Sequence, residues 1–112
     1  MKAPLKEAFT IELAAARGAL ARGELDAAFR HLERAHVLGQ RHTGSHVLVH
    51  WQMLRVGWLH RDPREVFGQL VRIAAALIFS RIWVPVGNTG GANVSAFRPM
   101  PVPDDLPRWL DP

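Results

Sequence analysis

The chain has 112 residues, enough for one domain and too few for two. It contains no cysteine and no tyrosine, which excludes disulfides, thiolate metal sites, cysteine nucleophiles and phenolic acid–base chemistry, and which fits a cytoplasmic, reducing location. The net charge is +4, but the arginines are scattered from Arg17 to Arg108 without a run of adjacent basic residues, so no nucleic-acid partner is expected.

The first ten residues carry Lys2, Lys6 and Glu7 and lack the apolar core of a signal peptide. Pro4 suits the first turn of a helix, and Leu5 to Arg22 reads as the first one, ended by Gly23. Glu24-Leu25-Asp26 places acidic groups where a helix dipole favours them, and the second helix runs from there to about Gln40. Gly23, Ala28, Leu32 and Ala35 sit where a tetratricopeptide unit places its turn and packing residues. One unit alone is visible and a solenoid needs about three, so the pattern is read as ordinary hairpin packing.

Arg41 to Ser45 is the next turn, with Thr43 or Ser45 as the cap of a third helix from His46 to His60. Asp62-Pro63 is a cap followed by an N1 proline, so a fourth helix begins there and ends near Trp83 to Pro85. Val66, Phe67, Leu70, Val71, Ala74, Leu77 and Ile78 share one broad face of it, the face expected to be buried. Its most apolar stretch, Ile73 to Ser80, is bounded by Arg72 and Arg81 and is far short of the ~20 apolar residues that span a bilayer, so no membrane role is expected. Gly87-Asn88-Thr89-Gly90-Gly91 is a turn cluster. Arg98 to Pro107 holds four prolines and reads as an extended arm, tacked down by Leu106, Trp109 and Leu110. The expected fold is an all-α, antiparallel bundle of about four helices in a single domain, residues 1–112. Helices fill 1–85, and a glycine-rich loop and proline-rich C-terminal arm fill 86–112.

Six histidines carry the chemistry. Residues advance by about 100° around a helix, so His46 and His50 stand about 40° apart, with Met53 and Gly57 on the same stripe. Val47, Trp51 and Leu54 flank that stripe on one side and Val49 and Val56 on the other, which puts it in the middle of the buried face. On the second helix His36 shares a face with Leu25, Phe29, Leu32 and Gln40, and Glu33 lies about one-sixth of a turn away. His31 points the other way and is expected to be solvated. His42 sits in the turn with no assigned role, and His60 favours the dipole at a helix C-terminus. A short turn makes the two helices antiparallel, so His36 faces His50 and Gln40 faces His46.

Unpartnered buried polar groups cost about 1–3 kcal/mol each, so such a cluster needs a reason. A divalent transition metal (zinc, copper, nickel, cobalt or iron) is one, because imidazole suits these ions and i, i+4 histidines chelate from one helix face. The expected ligands are His36, His46 and His50, with Glu33 and Gln40 completing or orienting the set. Glu33-x-x-His36 has di-iron spacing, but the further motifs of a ferritin-like centre are missing. Gly87, Asn88, Thr89, Gly90 and Gly91 form a candidate cofactor-binding loop that presents backbone N–H groups. It lacks the lysine and hydroxyl residue of a P-loop and follows a helix, which argues against a nucleotide. Ser45 and Ser95 sit in no nucleophile elbow, so no catalytic residue is assigned.

His31-Leu-Glu-Arg-Ala-His-Val-Leu-Gly-Gln40, the His46/His50 helix, Gly87 to Gly91 and Pro99-Met-Pro-Val-Pro103 together resemble a small bacterial domain family of unknown function. The resemblance covers most of the chain from His31 onward and implies no activity. It does imply gene neighbourhoods with metal-efflux and metal-resistance proteins. Three readings stay open on sequence. The first is a metal-binding protein for sensing, buffering or delivery. The second is a non-enzymatic interaction module that forms a homodimer through its tryptophans and arm, with structural histidines. The third is a metal-dependent enzyme whose glycine loop shapes a substrate pocket.

Overall fold

Four helices follow one another through short turns: α1 (Ala3–Ala21), α2 (Leu25–Gly39), α3 (Thr43–Leu59) and α4 (Pro63–Phe79). The computed structural model describes residues 1–79, 90–92 and 99–106, and among them there is no strand. Each helix packs on its neighbour in sequence, α1 on α2, α2 on α3 and α3 on α4, which makes an up-and-down all-α bundle. The end expected for the fourth helix near Trp83 to Pro85 lies outside the described residues, as do Gly87 to Thr89, Trp109 and Leu110.

Local chemistry explains the turns. Pro4 lies in the first turn of α1, where its missing N–H costs nothing. At the other end Gly23 adopts φ +74°. Its N–H and that of Glu24 donate to the carbonyls of Leu20 and Ala19, at 3.0 and 2.9 Å, the paired bonds of a Schellman cap. The α3–α4 turn repeats the motif with Arg61 at φ 56° in place of a glycine. The N–H groups of Arg61 and Asp62 reach Trp58 and Gly57 at 3.1 and 2.9 Å. Holding a non-glycine there costs about 1–2 kcal/mol. Asp62 then caps α4 as the sequence suggests, its Oδ1 accepting from the Glu65 N–H at 3.1 Å. One boundary differs from expectation. α3 starts at Thr43 instead of His46, with His42 as the N-cap and no side-chain cap bond. Thr43-Gly44-Ser45 is therefore the first helical turn and not the cap.

The apolar core is built from α1 and α2. Leu5, Phe9, Leu13, Ala16 and Ala19 of α1 pack on Ala28, Leu32 and Ala35 of α2. Leu38 of α2 and Val49, Met53 and Val56 of α3 extend it. The proline-rich arm docks on the same core: Leu106 is buried and Val102 packs beside it. Arg34 ties the arm down, meeting Asp105 at 2.7 Å and Glu12 of α1 at 2.7 Å. That arrangement corrects the expectation for His31. It is half-buried, with Nδ1 2.9 Å from the second Glu12 oxygen, and is not simply solvated.

α4 reverses the expected orientation. Phe67, Leu70, Val71, Leu77 and Ile78 are all exposed, while Gln69 is wholly buried. Most of the broad apolar face points outward, and Gln69 points in together with Ala76, with Val66 half-buried. No helix among the described residues is long and apolar enough to cross a membrane.

Candidate metal centre

α2 and α3 bring three histidines to one point. The Nε2 atom of His36 lies 3.0 Å from that of His46 and 3.1 Å from that of His50. The three rings sit 4.7–4.8 Å apart, centre to centre. His36 and His50 are buried and His46 is nearly so. This is the convergence that helical spacing suggests, with one difference: His36 meets both α3 histidines, not His50 alone. Among the described residues this trio is the one group of histidine and carboxylate side chains arranged to hold an ion. Glu33 does not join it. Its carboxyl is half-buried, and burial followed by the negative Glu65 raises its pKa, against the lowering influence of Arg30. Gln40 is buried at the C-cap of α2. His31 and His42 stand apart from the trio, and His60 caps α3 with Nε2 3.2 Å from Asp26.

The inverted face of α4 supplies support that sequence reasoning missed. Gln69 Oε1 lies 2.6 Å from His50 Nδ1. The Gln69 amide nitrogen donates to Glu65 Oε2 at 2.7 Å and to the Gly90 carbonyl at 3.0 Å. Both partners are acceptors, so the amide can be oriented one way only, and its oxygen must accept the Nδ1–H of His50. His50 is thereby held as the tautomer with a bare lone pair on Nε2, facing the other two rings. An outer hydrogen bond that fixes tautomer and ring is what metal-ligating histidines usually carry. The Ala92 N–H closes the network on Glu65 Oε2 at 3.0 Å.

Gly90 covers the trio. Its φ is +83°, and a Cβ there would stand 2.5 Å from His36 Cδ2. Only glycine fits both the left-handed backbone and the contact with the imidazole. Two residues of the expected loop, Gly90 and Gly91, are buried. Gly90 meets the centre through its flat backbone and its carbonyl.

The chain belongs to the family described as a protein of unknown function (DUF3703), which matches residues 3–110. Comparison with curated proteins and with solved structures gives no match. Membership brings no activity with it, so the chemistry rests on the side chains.

Burial holds the His46 imidazole down at a pKa of about 4. His50 falls to about 3, chiefly through burial and then through His46 and Arg72, with the Gln69 bond acting the other way. Both rings are therefore neutral at physiological pH, the state a metal ligand requires. Without a cation the three nitrogens are poorly matched. The His50 Nε2 is bare, and His36 Nε2 has at most one proton to share between two neighbours. His46 Nδ1 is buried with no hydrogen-bond partner among the described residues, so His46 lacks the anchoring that His50 has. Nitrogen ligands about 2.0–2.1 Å from a tetrahedral zinc stand roughly 3.3 Å apart. The observed 3.0 and 3.1 Å from His36 to its two neighbours fit after a spread of a few tenths of an ångström, and all three ligand atoms lie within 4.8 Å of one another. Three imidazoles and no thiolate suit zinc, copper, nickel, cobalt or iron in the divalent state.

Proposed function

We propose that this protein binds one divalent transition-metal ion through His36, His46 and His50 and serves as a small cytoplasmic protein for metal sensing, buffering or delivery. The observation that carries the reading is the meeting of three histidine Nε2 atoms, two of the rings buried and one with its lone pair aimed inward by Gln69. Glu33 and Gln40 act, in this reading, as outer groups that tune charge and packing around the ligands. Burial of His36 and His50 under Gly90 favours retention of an ion over turnover of a substrate. The association with metal-efflux and metal-resistance genes that the family resemblance implies points the same way. The chain then forms one domain, with the arm and Gly90 closing over the helices.

The test is direct. Untagged protein is assayed for metal by elemental analysis and titrated calorimetrically with zinc, copper, nickel, cobalt and ferrous iron. One equivalent is expected to bind, binding is expected to vanish in His36→Ala, His46→Ala and His50→Ala, and His31→Ala is expected to keep it. No stoichiometric binding by any of the five ions, with the chain folded, overturns the proposal.

A further inference from the structure

α4 is amphipathic in the wrong sense for a monomer. Its polar edge, Glu65 and Gln69, faces the histidines, and its apolar stripe faces water over about three turns. Phe67, Leu77 and Ile78 are more than 60% exposed, at 69%, 64% and 63%, and Leu70 and Val71 are half exposed. On α3, Trp58 is 68% exposed, and with Gly57, Phe67 and Leu70 it lines a groove of about 540 Å³. The remaining tryptophan of α3, Trp51, stands about 20° from Trp58 around the helix and is half exposed. At about 100 Å² per side chain this face amounts to on the order of 700–800 Å². That exceeds the ~300–600 Å² patch of an ordinary monomer and matches one partner's ~800 Å² share of a standard interface.

We infer that this face is the interface of a symmetric homodimer, α4 packing antiparallel on α4 of a second copy. Two features single out a second copy as the occupant. The stripe reads the same from both ends in size: Phe67 and Ile78 at its extremities, Val71 and Ala74 at its middle. A two-fold axis near Val71 and Ala74 sets Phe67 of each copy against Ile78 of the other, and the small central Ala74 lets the helix axes approach. The groove is also lined by charges of both signs, Arg61 and Asp62. That mixed flank does not suit a lipid surface, which selects a purely basic one. The inference does not rest on metal binding, because the histidines lie on the opposite side of α4.

The experiment is sedimentation equilibrium of the full untagged chain from about 1 to 200 µM, in chelator, so that no ion bridges copies. A dimer that dissociates on dilution is expected. Phe67→Lys and Ile78→Lys are each expected to raise the dimer dissociation constant at least tenfold with helix content unchanged. Ile11→Lys, at an exposed apolar position on α1, is expected to leave it within twofold. A wild-type chain that stays monomeric throughout overturns the inference, and so does a dimer indifferent to both α4 variants. Flotation of the monomer with vesicles of phosphatidylcholine and phosphatidylglycerol, lost in Phe67→Lys, also overturns it and gives the face to a lipid surface.

Discussion

The α1–α2 hairpin and α4 use the same amphipathic pattern to opposite ends. In the hairpin, apolar side chains such as Phe9, Leu13 and Leu32 turn inward and most of the charged ones turn out. In α4, Gln69 is buried along with the small Ala76, while Phe67 and Leu70 meet water. The difference follows from what each helix is packed against. α1 faces an apolar wall and gains by burying hydrocarbon. α4 faces three imidazoles, one of whose Nδ1–H groups needs an acceptor, and a buried donor left without one costs about 1–3 kcal/mol, comparable to the gain from burying one leucine. Periodicity therefore reports that a helix has two faces, while its neighbours decide which face goes in.

The largest effect that sharpens this contrast belongs to the hairpin. Leu32→Ala removes a wholly buried side chain from the core and is expected to cost about 2–5 kcal/mol. Urea unfolding of the metal-free chain measures it. A cost below about 1 kcal/mol would show that the α1–α2 contact is not the main source of stability.

Next in size is the response of the apo protein to acid. His46 and His50 titrate near 4 and 3 in the folded chain and near 6.5 when unfolded. Between those values the unfolded chain holds more protons, so stability rises with pH. Their contribution is complete above about pH 6.5 and is lost as pH falls toward 4 and then 3. The slope is at most about 1.4 kcal/mol per pH unit for each ring. Urea midpoints at pH 7.5, 6.0 and 5.0, in chelator, are expected to fall in that order. His46→Gln, which removes one of the two rings, is expected to flatten the trend. A flat profile between pH 7.5 and 5.0 would mean that the rings are not buried as a neutral pair.

The support given to His50 ranks third. Gln69→Leu deletes the acceptor for its Nδ1–H and leaves Glu65 and the Gly90 carbonyl without their shared donor. Loss of such an outer group typically weakens a metal site by about 10–100-fold. The same decrease is expected in calorimetric zinc affinity, with one-to-one stoichiometry kept. Gln69→Glu, which retains an acceptor, is expected to recover part of it. Unchanged affinity in Gln69→Leu would leave Gln69 a packing residue and nothing more.

Much of the centre was legible because it needs only local geometry. His46 and His50 are spaced by four residues, and His36 follows Leu32 on the face that packs against them, so phase alone brings the three together. The misplaced start of α3, His46 for Thr43, did no harm, since both ligands lie inside the helix either way. Gln69 was illegible for the converse reason. It belongs to a polar edge, Glu65-x-x-x-Gln69-x-x-Arg72, that reads as an ordinary solvated face until the neighbouring histidines are known. The seat of Gly90 against His36 spans 54 residues of chain and no periodicity encodes it. His31 was misjudged because its partner, Glu12, sits on another helix. Apart from the α3 boundary, these misses are contacts between elements distant in sequence. The convergence of the histidines, by contrast, is a relation across one short turn.

The smallest effect is the one that separates the two regions most sharply. Leu70→Ser changes a leucine on α4 that is as large as Leu32 but half exposed. Little hydrocarbon is taken from a filled cavity, so the monomer is expected to lose less than about 0.5 kcal/mol. The serine also lowers helix propensity by a few tenths of a kcal/mol, which belongs to that loss. Measured at about 1 µM, below the expected dimer range, the urea midpoint is therefore expected to stay close to that of the unchanged chain. Measured at about 200 µM, where partner binding adds stability by mass action, the variant is expected to fall behind. The gap at high concentration less the gap at low concentration isolates what the α4 face contributes through a partner. A loss as large as that of Leu32→Ala at both concentrations would mean that Leu70 is buried within the single chain, and that α4 faces inward after all.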